Sequence, residues 1–197
     1  DGELINQALL ELNQHAFSDS RVKVIYGDAF NSVQQLAENY YDVILVDLPD
    51  PNHPNLNKLY SVAFYHKLAN LLAGDGAMAV QSTSPYHTKD AFLTVAASLK
   101  AAGLRTYPYQ YNIPSFGQWG WHLATKRTDV PGKLQLTSKQ LPKAQTWLTK
   151  DLINASFIFS ADFFAGAEQI TPNYLGSHLM YWRYQQSNSY ERNVLVR

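Results

Sequence analysis

Two carboxylates stand close together in Asp42-Val43-Ile44-Leu45-Val46-Asp47-Leu48-Pro49-Asp50-Pro51. Asp47 ends an apolar run, and Asp50 follows between two prolines that stiffen the turn. A carboxylate can pair with an ammonium and accept its proton, so Asp47 and Asp50 read as a pair that handles a cationic amine. The same residues also suit a capped, solvated loop, where Asp is common. Two more polar residues close short β-rich runs: Asp28, after Val22-Lys23-Val24-Ile25-Tyr26-Gly27, and Gln81, after Ala77-Met78-Ala79-Val80. Asp28 can accept from an exocyclic amine or a hydroxyl, or simply cap a helix that starts near Asn31. The Gln81 amide can donate and accept, toward a ligand or toward neighbouring backbone. The run Ile113-Pro114-Ser115-Phe116-Gly117-Gln118-Trp119-Gly120-Trp121 is aromatic and glycine-rich. Aromatic faces beside carboxylates suit an alkylammonium through cation–π contact, and rings also pack loops over a core. The six histidines, His53 among them, show no metal spacing. No dinucleotide glycine fingerprint, phosphate-binding loop or Gly-x-Ser-x-Gly elbow is present.

These residues need elements to carry them. Val43 to Val46 is a short apolar run and predicts a buried parallel strand, with Asp47 at its carboxyl end, where open α/β sheets bind ligands. Val22 to Tyr26, Ala77 to Gln81, Arg105 to Tyr111 and Gly120 to Thr125 predict further strands. The last two read as an antiparallel edge joined by a loop over Asn112 to Trp119. Helical spacing appears in Leu4 to Gln14, Ser32 to Glu38, Leu59 to Leu72 and Thr88 to Ala102. The Leu59 helix is expected to end at Gly74-Asp75-Gly76, and Thr88 is expected to cap the next one. The order αβαβαβαββ argues for an open, mostly parallel sheet. Beyond Asp129 the pattern weakens. Helices are expected over Lys143 to Ala155 and Ser160 to Ala167, then a mobile polar tail over Gln185 to Arg192.

The 197 residues suffice for one domain with a sizeable core. A chain that is 46% hydrophobic and 16% charged is globular. Sixteen basic and sixteen acidic residues cancel, which argues against a nucleic-acid footprint. There is no cysteine, so thiolate metal sites and disulfides are excluded. No apolar run approaches the ~20 residues that span a bilayer. The chain opens on Asp1 rather than Met, and reads as processed or as part of a longer protein.

Four blocks together resemble the spermidine synthase family of polyamine aminopropyltransferases. They are Gly27-Asp28-Ala29; Asp47-Leu48-Pro49-Asp50-Pro51; Leu59-Tyr60-Ser61 with Phe64-Tyr65; and Val80-Gln81 with Ile113-Pro114-Ser115 and Gly117-Gln118. Pro49, His53 and the Pro114 to Gly120 run resemble the branch fused to membrane-spanning segments. The resemblance covers residues 1 to 165 and implies an α/β, Rossmann-like methyltransferase-type sheet. It implies aminopropyl transfer from decarboxylated S-adenosylmethionine, a co-substrate rather than a tightly held cofactor, to putrescine or a similar diamine. No metal and no nucleic acid are implied. Asp47 resembles the base at the attacking amine. Asp50, Gln81 and Tyr60 resemble diamine-binding residues, as does Phe116, which stands where the family often has Tyr. Asp28 and Ala29 resemble the adenine-binding residues.

The family also carries a glycine-rich donor loop, two early strands and a small amino-terminal β domain. Asp1-Gly2-Glu3 resembles the residues just after the second of those strands. The expected sheet therefore lacks its first two strands. Either the Val22 strand pairs with the Val43 strand, or a second chain fills the gap, and a homo-oligomer is expected. The expected division is a partial catalytic domain over 1–130 and a helical extension over 131–197. Alone, this piece is expected to be inactive: a cytoplasmic-type soluble domain, whether or not its parent is membrane-anchored. A methyltransferase on the same fold and a non-catalytic polyamine-binding module are the alternatives.

Overall fold

The computed structural model describes residues 15–132, 134 and 147–194. The expected helix at Leu4 to Gln14 and the first half of that at Lys143 to Ala155 lie outside the described residues. By contacts the chain forms two compact units, Asp1–Leu36 and Ala37–Arg197.

In the first unit, helix α1 (Ala29–Ser32) runs into a 3-10 turn at Val33–Gln35. The longer helix expected over Ser32 to Glu38 is thus reduced to these two short pieces. Val22 to Tyr26 forms no strand, and its apolar side chains Val22, Val24, Ile25 and Tyr26 are exposed. That is a correction: β-branched composition favours a strand only where a ladder partner and a packed face are supplied.

The second unit holds one sheet of four strands: β1 (Tyr41–Val46), β2 (Leu72–Gln81), β3 (Arg105–Ile113) and β4 (Gly117–Thr125), in the order β1-β2-β4-β3. Only β1 and β2 pair in parallel; β2 with β4 and β3 with β4 are antiparallel. The mostly parallel sheet is thus corrected to a mixed one. Helices α2 (Val62–Leu71) and α3 (Lys89–Ala101) follow β1 and β2, and α4 (Lys150–Ser156) and α5 (Leu179–Val194) come after the hairpin.

Strand alternation sorts the sheet into two faces. One carries Met78, Val80, His122 and Ala124, all fully buried. The other carries Val43, Leu45, Ala79, Leu123, Trp121 and Tyr109, brought side by side by the register. On that face Val43 is 65% and Leu45 76% exposed, so β1 is not the strand buried on both sides that its apolar run suggests. The run reports hydrophobicity; only the packing says which of its residues are covered.

Local chemistry explains the other shifts. The helix expected from Leu59 begins as a 3-10 segment, Pro54–Tyr60, and restarts at Ser61. The Ser61 hydroxyl accepts from Phe64 N at 3.2 Å and caps α2. The helix then passes straight into β2 at Leu72, and the expected Gly74-Asp75-Gly76 stop lies inside the strand. Gly76 is needed there for close approach. A Cβ would sit 2.9 Å from Tyr41 O, where the β1–β2 register shifts. Thr88 precedes α3 but makes no side-chain cap; its hydroxyl instead donates to Ser84 O at 2.9 Å. The hairpin loop is shorter than expected, with β3 reaching Ile113 and β4 starting at Gly117. Ser160 to Gly166 is a run of turns, not a helix, and Ala167 opens a short 3-10 turn, Ala167–Gln169. The polar tail at Gln185 to Arg192 is part of α5. Among the described residues no helix is long and apolar enough to cross a membrane, and no group of His, Asp and Glu could hold a metal.

Candidate active site

The bare face of the sheet opens as a cleft of about 720 Å³ at the carboxyl end of β1 and β2. Asp47, Asp50, Gln81 and Phe116 line it, with Tyr109, Trp119 and Trp121. Four of the residues singled out in the sequence are therefore brought together. Each arrives by a local cause. Asp47 is the first residue past β1, and Asp50 follows one stiff turn later. Gln81 ends β2 and pairs in register with Trp121 of β4. Phe116 sits in the β3–β4 turn, with its ring 5.4 Å from Trp119. Tyr109 stacks on Trp121 at 5.5 Å and 15°.

Asp50 is held at both oxygens. Gln81 Nε2 donates to Oδ1 at 3.2 Å, and the Tyr184 hydroxyl donates to Oδ2 at 2.9 Å. Because a carboxylate presents only acceptors, the Gln81 amide orientation is fixed, and its Oε1 points away from Asp50. That oxygen is buried and finds no hydrogen-bond partner. Asp47 lies exposed on the cleft wall. Each oxygen of Asp50 keeps a second lone pair, so its carboxylate can still accept from a ligand.

Tyr60 is placed differently. It is buried beneath the acidic loop and donates its hydroxyl to Pro49 O at 2.6 Å, so it supports the loop rather than lining the cleft. Burial first, and then the charges of Tyr65, Asp50, Tyr184 and Asp47, push its ionisation far above the usual range, so it stays a neutral donor. His53 caps the following 3-10 helix by accepting from Asn55 N at 3.2 Å. Asp28 belongs to the other unit, where it caps α1 by accepting from Asn31 N at 3.3 Å, and Ala29 is the first residue of that helix.

Beyond Gln81 the chain must turn sharply. Thr83 does so at φ 65°, a conformation that β-branched residues rarely adopt. Its carbonyl accepts from Gly120 N at 2.8 Å, which holds the turn against that strain. Behind it, His122 is fully buried against Phe92, with ring centroids 4.3 Å apart. Ser82 Oγ donates to Val80 O, so His122 Nδ1 donates to Ser82 Oγ at 2.9 Å, and Nε2 is left without a partner. Burial first, and then the Lys100 charge, lower the imidazole pKa to about 3. A folded pKa below the unfolded 6.5 means that the unfolded chain binds the proton first. Stability is thus complete above pH 6.5 and falls as pH drops toward 3, by at most about 1.4 kcal/mol per unit. Urea midpoints at pH 7.5 and 5 should differ more in the parent than in His122→Asn. Equal slopes would show that His122 is protonated without cost.

Sequence reasoning missed Tyr184, Asn57, Asn173 and Tyr109. The buried asparagines have no local signature. Tyr184 stands just before the stretch read as a tail, in a helix too polar to show an apolar stripe.

Comparison with known proteins follows the same lines. A family model described as a spermine/spermidine synthase domain matches residues 3–135. A polyamine aminopropyltransferase of Shewanella oneidensis is 50% identical over 188 residues, which is 94% of this chain and 33% of that protein. Polyamine aminopropyltransferase 2 of Ralstonia nicotianae is 40% identical over 172 residues, 87% of this chain and 32% of that one. A crystal structure of spermidine synthase with the transition state analogue AdoDATO has the same fold. It aligns at a TM-score of 0.70 and 21% identity, over 86% of this chain and 59% of that one. The chain spans about a third of the length of the curated relatives it matches.

Proposed function

Because this chain belongs to the spermine/spermidine synthase family, we propose that it carries the acceptor side of an aminopropyl-transfer site. The acceptor is putrescine or a similar diamine, and the donor is decarboxylated S-adenosylmethionine. The observation that carries this reading is the buried, partnerless Oε1 of Gln81 beside two carboxylates in an aromatic-walled cleft. A buried acceptor without a donor costs about 1–3 kcal/mol, and an ammonium supplies the missing donor. Trp119, Trp121, Tyr109 and Phe116 offer apolar faces for the methylene chain and π faces for its charged ends.

In this reading Asp50 and Gln81 hold one end of the diamine, and Asp47 faces the other. The attacking nitrogen is an ammonium in neutral water and must lose a proton to become a nucleophile. Asp47 takes that proton. The nitrogen then attacks the carbon next to the sulfonium in line; the N–C bond forms as the C–S bond breaks. The electron pair stays on sulfur, and the leaving thioether, methylthioadenosine, is neutral. Gripping the sulfonium tightly would favour the ground state, so the carboxylates act on the amine instead. Tyr60 serves indirectly, by holding the loop at Pro49. Asp28, with Ala29 beside it, is assigned to the adenine of the donor. The reaction asks for no metal.

Residues 1–130 form the partial catalytic domain in this proposal and 131–197 its extension, which also reaches the site through Tyr184. Residues 1–197 alone bind the diamine but do not turn over, since the exposed apolar face of β1 leaves the donor side open to water. The protein acts in water on the cytoplasmic side, as a homo-oligomer. Light scattering showing a monomer at working concentration would remove that last point. The central test is turnover by the full-length protein with putrescine and decarboxylated S-adenosylmethionine. Spermidine and methylthioadenosine should appear in equal amounts. Methyl transfer from S-adenosylmethionine, or diamine binding without any product, would overturn the proposal.

A further inference from the structure

The carboxyl-terminal helix is tied to the acidic loop through buried polar groups, and the ties are specific. Asn57, 2% exposed, accepts at Oδ1 from the backbone N–H of Met180 at 3.1 Å and of Tyr181 at 3.4 Å, two donors that the first turn of α5 leaves unpaired. Asn173, fully buried, accepts from Met180 N at 3.3 Å and donates from Nδ2 to Asn57 O at 3.0 Å. Its own N–H donates to Ser98 Oγ at 2.9 Å, which locks this corner to α3. Further along, Arg183 Nη1 donates to Thr94 Oγ1 at 2.5 Å and to Thr171 O at 2.8 Å, and Gln185 Nε2 reaches Asn52 O at 3.5 Å. Between them, Tyr184 donates to Asp50 Oδ2.

The chemistry of that contact is selective. A phenol donates one hydrogen bond and brings no positive charge. An Arg or Lys in its place would neutralise Asp50 and compete with a cationic ligand. Tyr184 and Gln81 instead approach one oxygen each, fix the plane of the carboxylate, and leave its charge and its remaining lone pairs for an ammonium. We infer that Tyr184 is a positioning residue of the acceptor site. It holds Asp50 for the second ammonium of a diamine, and so sets the preference for diamines over monoamines. The inference rests on the reading of the cleft given above.

The test is Tyr184→Phe in the full-length protein, with calorimetric titration of putrescine and of butylamine. Putrescine has two ammoniums and must engage both carboxylates, whereas butylamine has one and can place it at Asp47 instead when Asp50 is no longer held. The putrescine Kd should rise about 10-fold, with little change for butylamine, so the ratio between the two ligands contracts by that factor. Gln185→Ala is the companion variant, because it loosens the docking of the helix without touching Asp50. It should leave the ratio at the parent value. An unchanged ratio in Tyr184→Phe overturns the inference, as does an equal contraction in Gln185→Ala, which would assign the effect to helix docking. If the parent protein fails to prefer putrescine at all, the reading of the cleft falls, and the inference falls with it.

Discussion

Asp47→Asn in the full-length protein is expected to lower kcat by about 10²- to 10⁴-fold, the range for loss of a general base. Diamine affinity should change far less. The substitution keeps the shape and polarity of the side chain at the end of β1 and removes only its basicity. The ammonium then has no group to take its proton before the carbon–sulfur bond breaks. Because Asp47 lies on the open wall of the cleft rather than under the loop, the change should not disturb the supports at Tyr60 and Asp50. The deficit should shrink as pH rises toward about 10, where free alkylamine becomes the main species without help. Rates by product formation from pH 7 to 10, with putrescine titrations at pH 7, check both parts. Equal activity at neutral pH would remove Asp47 as the base.

Asp50→Asn should act on binding instead. The diamine Kd should rise by about 10- to 100-fold, the range for losing hydrogen bonds to a charged group. The main cause is that the negative charge facing the ammonium disappears. The amide also presents a donor where the carboxylate had only acceptors, so Gln81 or the Tyr184 hydroxyl must turn to accept there. The turnover rate at saturating diamine should fall much less than kcat/KM. That split separates Asp50 from Asp47, whose loss is expected in kcat. A Kd unchanged from the parent would show that the ammonium lies elsewhere in the cleft.

These expectations differ because the two carboxylates, three residues apart, have different surroundings. Their presence was legible from the apolar run and the two prolines. The difference between them was not, because the partners that make it come from far along the chain. Gln81 lies 31 residues from Asp50 and Tyr184 lies 134. The strands of the hairpin and the helix at Lys89–Ala101 were legible, and β4 and that helix each bury one face and repeat their pattern over several residues. Val22 to Tyr26 has the composition of a strand without becoming one, and α5 becomes a helix without an apolar stripe. In the first case no ladder partner is present among the described residues. In the second, buried asparagines and Arg183 supply the anchoring that an apolar face usually gives.

By itself, the sequence determined which residues are available at strand ends and which family pattern they follow. Asp47, Asp50 and Gln81 stand at chain positions where a parallel strand must stop, and Phe116 to Trp121 stand in a hairpin that must turn. Those are local facts, set by side-chain type and by the period of two. Tertiary structure alone decided that the cleft opens on the face where Val43 and Leu45 are bare. It alone left Gln81 Oε1 without a partner and brought Tyr184 to Asp50. The physical reason is that hydrogen-bond partners and burial are chosen by proximity in space, which no spacing along the chain records.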